Sequence, residues 1–115
     1  MKYNTTLVPR RGDIFFVEGE KVLFKTNIQL GNRPAVIVSN NTGNKFSNIV
    51  EVAFLTKNKK GNQPTHCEIQ AEIASYAICE QIQTIDQSRL GRYIKHITET
   101  EEQALNEALK VSIGL

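Results

Sequence analysis

At 115 residues, with 40% hydrophobic and 23% charged side chains, the chain is long enough to bury one core and too apolar to be disordered. No apolar run nears the roughly 20 residues of a membrane helix, and Met1-Lys2-Tyr3-Asn4-Thr5-Thr6 lacks the apolar stretch of a signal peptide. The expectation is one cytoplasmic domain over residues 1–115 with no membrane partner, residues 1–9 forming a flexible N-terminal extension.

The formal charge of +2 conceals a split. Residues 1–60 carry ten Lys/Arg against four Asp/Glu, a net of +6, and residues 61–115 carry four against eight, a net of −4. A basic half of this kind suits an anionic partner.

In chain order, Gly12-Asp13-Ile14-Phe15-Phe16-Val17 is apolar and β-prone and reads as the first strand. Residues 18–32 are mostly polar and long for a hairpin connection, with Val22-Leu23-Phe24 set for a short strand or a fold over the core. A strand is expected at 34–39, then the turn-rich Asn40-Asn41-Thr42-Gly43-Asn44, then a strand at 49–55. Residues 57–64 form a lysine-rich loop. Residues 65–69 alternate His66 and Glu68 against Cys67 and Ile69, as a half-buried strand does. Residues 73–82 read as a strand broken by the polar Glu80 and Gln81, and 91–97 as a last strand.

The final element is a helix. Thr98 and Glu101 make a capping-box pattern, Ala104, Leu105, Ala108, Leu109 and Ser112 form its stripe, and Gly114 ends it. Short strands and one terminal helix predict a mainly β domain, a small barrel or rolled sheet of six to seven strands with the helix packed on it. Cys67 and Cys79 read as small buried groups rather than a disulfide.

Chemistry narrows quickly. His66 and His96 lie 30 residues apart, read simply as polar strand faces, and belong to no cluster with ligand spacing, so no metal and no cofactor are expected. Neither Gly43-Asn44-Lys45 nor Gly61-Asn62-Gln63 has the spacing of a phosphate loop, and no serine stands in a nucleophile elbow.

Arg33 remains, in Gly31-Asn32-Arg33-Pro34 at the mouth of the second strand. Pro34 restricts the backbone of Arg33 to extended geometry. Thr56 ends the 49–55 run, and antiparallel pairing of the two strands makes it a neighbour of Arg33. A permanent cation beside a hydroxyl, followed by Lys57, Lys59 and Lys60, suits a nucleic-acid phosphate. The plain alternative is that Arg33 makes a structural ion pair and Thr56 ends a strand.

One metal-free reaction fits these groups: attack of a ribose 2′-hydroxyl on its own adjacent phosphate. The nucleophile is already tethered. Arg33 grips the phosphate oxygens, Thr56 adds a hydrogen bond, and Glu80 is the candidate acceptor of the 2′-hydroxyl proton.

Five ordered stretches resemble one family, the MazF/PemK toxin endoribonucleases. They are Arg11-Gly12-Asp13-Ile14-Phe15-Phe16, Arg33-Pro34-Ala35-Val36-Ile37-Val38-Ser39-Asn40, Pro64-Thr65-His66-Cys67-Glu68-Ile69, the run from Glu80-Gln81-Ile82-Gln83-Thr84-Ile85-Asp86 to Gly91, and Glu107-Ala108-Leu109-Lys110 to the end. The resemblance implies an SH3-like barrel with a C-terminal helix. It also implies a homodimer, a cognate antitoxin protein, and sequence-selective cleavage of single-stranded mRNA that inhibits translation and growth.

By the same resemblance Arg33, Thr56 and Glu80 are the catalytic positions and Gln29 is a contact of the first long loop. RNA contacts are expected from Gln29, Asn32, Ser39, Asn40, Lys57 and Lys59. The chain departs from the family at Thr26-Asn27-Ile28-Gln29-Leu30-Gly31, where an acidic residue and a glycine are usual, and at Gln83, which replaces an arginine. The alternatives are an SH3-like RNA- or protein-binding module that does not cut, and a gyrase poison of the CcdB type.

Overall fold

The computed structural model describes residues 8–19, 33–59 and 61–115. Most of the expected N-terminal extension, the stretch 22–24, Gln29, Asn32 and Lys60 lie outside the described residues. The apolar runs form six antiparallel strands: β1 (Asp13–Val17), β2 (Arg33–Ile37), β3 (Ile49–Thr56), β4 (His66–Gln70), β5 (Ala74–Asp86) and β6 (Leu90–His96). They lie in one sheet in the order β4-β5-β3-β2-β1-β6. Two α-helices, α1 (Asn41–Phe46) and α2 (Glu99–Ile113), and one 3-10 turn at Gln87–Arg89 complete the described fold.

The sheet buries both faces, which is why Ala35-Val36-Ile37 reads as a continuous apolar run and not as an alternating one. Ile14, Val36, Ala53, Leu55, Cys67, Ile69, Ala77 and Cys79 pack with Leu105 and Ala108 of α2 on one side. Phe15, Val17, Ala35, Ile37, Val50, Val52, Phe54, Ile85 and Leu90 pack on the other. Both cysteines are free and buried.

The sheet rolls without closing. Glu72, in the turn between β4 and β5, pairs with Arg92 of β6 at 3.0 Å across the gap. The Arg92 guanidinium also lies 4.7 Å from the centre of the Phe16 ring. The anticipated barrel is therefore a rolled six-stranded sheet with a clasp between its end strands.

At the base of β1, Asp13 is buried and accepts hydrogen bonds from the Arg10 amide and from His96 Nδ1, each at 2.8 Å. Gly12 sits there at φ +93°, and a Cβ on it would meet His96 Cε1 at 2.9 Å. Arg11 joins three elements: its Nε donates to Val38 O at 3.1 Å, its amide to Asn41 Oδ1 at 2.7 Å, and a terminal nitrogen to Asn106 Oδ1 at 2.8 Å.

The expected turn at 40–44 is the start of α1, because the Asn40 carboxamide accepts from the Gly43 amide at 2.7 Å and caps the helix. At α2 the reciprocal Thr98–Glu101 capping box is present and Gly114 closes the helix at φ 78°. The Glu101 carboxylate also accepts from the Gln70 amide at 2.7 Å, fastening α2 to the edge strand β4. Among the described residues no helix is long and apolar enough to cross a membrane.

Candidate active site

Strand register builds the site. Val17 pairs with Arg33 across β1 and β2. The β2–β3 register, Ala35 with Phe54, continues two residues outward to set Arg33 opposite Thr56. Thr56 pairs with Tyr76 on β5, and Tyr76 pairs with Glu68 on β4. Val17, Arg33, Thr56, Tyr76 and Glu68 therefore form one rung across five strands. Because side chains alternate faces, this rung shares the face of Phe15 and Phe54.

Arg33 is exposed, yet its guanidinium lies 4.8 Å over the centre of the Phe54 ring. Phe54 is itself only 8% exposed and cannot move far. Stacking on a fixed ring leaves the guanidinium edge, with its N–H fork, pointing to solvent. Among the described residues Arg33 makes no ion pair, so the structural ion pair weighed above does not form there. Thr56 is half-buried, and its Oγ1 accepts from the Asn58 amide at 3.2 Å, which leaves the hydroxyl proton available to donate. A fixed two-pronged cation and a hydroxyl donor on one rung can hold two oxygens of a single phosphate.

Beyond Tyr76 the surface sinks into a depression of ≈ 270 Å³ lined by Lys59, Gly61, Asn62, Gln63, Pro64, His66, Glu68 and Tyr76. Glu80 does not line it but touches His66, which does. The Glu80 carboxylate accepts from Thr65 Oγ1 at 2.7 Å and contacts His66 Nε2 at 2.9 Å. Partial desolvation acts to raise the Glu80 carboxyl, but the hydrogen bonds from Thr65 and His66 outweigh it and hold the group below its ordinary range.

Glu80 is thus ionised and turned toward β4, two strands from Arg33, and the structure does not bring it onto the rung with Arg33 and Thr56. A carboxylate held low is also a weaker base at neutral pH. The histidine was missed by the sequence reading. Its signal was present: pairing residues 65–69 with 73–82 as a hairpin sets His66 opposite Ile78 and diagonal to Glu80.

The other expected contacts separate. Lys57 is exposed directly after Thr56, and Lys59 lines the depression. Ser39 and Asn40 lie past the opposite end of β2, roughly 20 Å along the chain from Arg33 at ~3.3 Å per residue. Their side chains work locally there. Ser39 Oγ donates to Asn44 Oδ1 and accepts from the Glu51 amide, and Asn40 caps α1.

Comparison with known proteins bears on this site. A family model described as the PemK-like, MazF-like toxin of type II toxin–antitoxin systems matches residues 10–113. The chain is 36% identical over 112 residues to endoribonuclease MazF of Staphylococcus saprophyticus, covering 92% of each protein. It is 36% identical over 115 residues to endoribonuclease EndoA of Bacillus subtilis, covering 95% of this chain and 97% of the relative. A solved structure of an endoribonuclease in complex with its cognate antitoxin, from mycobacterial species, matches with a TM-score of 0.78 and 26% identity, covering 93% of this chain and 96% of that one.

Proposed function

The chain belongs to the PemK-like, MazF-like toxin family and is a MazF-type toxin endoribonuclease of a toxin–antitoxin system, and from that premise we propose that the Arg33–Thr56 rung cleaves single-stranded RNA without a metal. The ribose 2′-oxygen bonds to the adjacent phosphorus as the bond from phosphorus to the 5′-oxygen breaks. The 2′-hydroxyl proton leaves and the departing 5′-oxygen gains one, giving a 2′,3′-cyclic phosphate and a 5′-hydroxyl. Arg33 matches the charge that builds on the equatorial oxygens, and the Thr56 hydroxyl donates to one of them. Tethering of the attacking oxygen supplies the proximity that a bimolecular reaction lacks.

The observation that supports this reading is the guanidinium stacked on Phe54, unpaired among the described residues and opposite a hydroxyl with its proton free. The position of the Glu80 carboxylate, bonded to Thr65 and His66, argues for a supporting duty in the adjoining depression.

The test is a long RNA incubated with pure protein in excess chelator, with both ends of every product mapped. Cuts bearing a cyclic phosphate and a 5′-hydroxyl are expected. Uncut RNA, or cleavage restored only by magnesium, refutes the route. By the same reading the single domain acts in the cytoplasm as a homodimer and is neutralised by an antitoxin protein. Light scattering and co-purification with the antitoxin test the last two points.

A further inference from the structure

His66 is a titratable group with a buried side chain for which the cleavage route has no use. Its side chain is only 8% exposed, yet it faces the depression beyond Tyr76. Resting on the RNA cleavage proposed above, we infer that His66, oriented by Glu80, reads the base of a nucleotide flanking the cut and selects adenine or cytosine over uracil.

The polarity of the subsite follows from the hydrogen-bond chain. Glu80 is ionised and can only accept. It takes the Thr65 hydroxyl proton at one oxygen, and at the other it faces His66 Nε2 at 2.9 Å. Nε2 must therefore carry a proton, and in the imidazole form of the ring this leaves Nδ1 as a lone-pair acceptor. Nδ1 has no partner among the described residues.

Among the described residues, the other charged or titratable groups of the depression are Glu68 on β4, Tyr76 on β5 and Lys59 on the loop before β4. The Glu68 carboxylate is a second acceptor. Lys59 is the lone cation among them and suits a phosphate at the rim. Two acceptors at the wall demand a base edge that donates. The adenine N6 and cytosine N4 amino groups each offer two N–H donors, one for each acceptor, whereas uracil offers the single N3–H between two carbonyl oxygens.

The location fits a neighbour of the cut and not the cut itself. Tyr76 pairs directly with Thr56, and Glu68 and His66 stand one strand farther out. Two strand spacings, ~10 Å, separate β4 from β3. That is too far for His66 to touch the phosphate held by Thr56, and within reach of the adjoining nucleotide of an extended strand. Glu80 touches no substrate in this arrangement and is a positioning residue.

The test uses the full chain and short labelled RNAs whose central nucleotide is 2′-deoxy, so that they bind without being cut. Sets carry A, C, G or U at each position flanking that nucleotide, and affinity is read by fluorescence anisotropy. At one flanking position, wild type is expected to bind A or C on the order of tenfold tighter than U. His66→Phe, which keeps ring volume and removes both nitrogens, should bring the four bases within about twofold. Glu80→Gln, at an exposed carboxylate, should do the same by freeing the tautomer while leaving the melting curve in place.

Arg33→Ala should weaken every sequence alike. Base preference unchanged in Glu80→Gln, or in folded His66→Phe, overturns the inference, as does the absence of any position that favours an amino base. Wild-type protein that leaves an unmodified transcript intact defeats the cleavage reading instead, so the two failures are distinguishable.

Discussion

Replacing Arg33 with alanine separates a catalytic arginine from a structural one by magnitude. Two losses can be worked from the structure. The first is the stacking of the guanidinium on Phe54 at 4.8 Å. At an exposed site such a contact contributes about 0.5–1 kcal/mol, which for a chain of this size lowers the melting midpoint by roughly 2–5 °C. The second, on the proposed mechanism, is the preorganised donor for the charge that develops on the phosphate oxygens. Removing one such donor costs on the order of 10²–10³ in rate, or roughly 2.7–4 kcal/mol of transition-state stabilisation.

The loss of rate should therefore exceed the loss of stability severalfold. Arg33→Lys should fall between wild type and alanine, since it keeps the charge but loses the planar fork and its stacking. The assay is single-turnover cleavage of one RNA in chelator, paired with thermal melting of the same preparations. Cleavage by Arg33→Ala within threefold of wild type would refute the reasoning, and so would a fall in melting midpoint large enough to account for lost activity through unfolding.

Three further outcomes follow from named contacts. Phe54→Leu retains most of the apolar volume but removes the ring beneath Arg33, so cleavage should drop by roughly two- to fivefold, the rate equivalent of one exposed cation–π contact, with little change in RNA affinity by filter binding. Gly12→Ala places a Cβ on a backbone at φ +93° and 2.9 Å from His96 Cε1, and urea denaturation should show a loss of more than about 1 kcal/mol. Glu101→Ala removes the carboxylate that accepts from both Thr98 and Gln70, which should cost about 1–3 kcal/mol by the same measurement. Desolvation pushes the Glu101 carboxyl upward but those amide bonds hold it lower than usual, so its contribution is complete above its unfolded value near 4.5 and disappears as pH falls through the lower folded value; Glu101→Gln should flatten stability against pH in that acid range, and an unchanged slope would contradict the assignment.

Much of this arrangement is legible in the residues because the relevant signals are local. β-branched and aromatic runs mark β1, β2 and β3, and Thr98, Glu101 and Gly114 mark both ends of α2. Arg33 and Thr56 are legible as a pair because one strand begins where the other ends and antiparallel pairing is the only further assumption. What escaped is what depends on register and capping. Residues 40–44 carry the composition of a turn, and only the Asn40 carboxamide reaching the Gly43 amide reveals a helix start. Glu80 and Gln81 read as an interruption of a strand, whereas β5 runs unbroken from Ala74 to Asp86. His66 read as a solvated polar position, because its partner lies across a hairpin whose register alternation alone does not specify.

The polar interruption in β5 is also what divides the site into two parts. Ala53 pairs with Ile82 and Leu55 with Ala77, so Phe54 alone on β3 faces four residues, 78–81, on β5. A mismatch of this kind bends the longer strand and increases its twist. The excess residues turn away from β3 toward β4, and Glu80 meets His66 and Thr65 there. In the opposite direction, Arg33 reaches over Phe54 from β2. In the regular register that continues from the Ala53–Ile82 pair, Glu80 would fall opposite Leu55, on the other face of the sheet from Arg33. The irregular stretch therefore carries the Glu80 carboxylate to the Thr65 hydroxyl and the His66 ring. The proposed phosphate grip and base selection are separated by one strand because Tyr76 of β5 stands between Thr56 of β3 and Glu68 of β4.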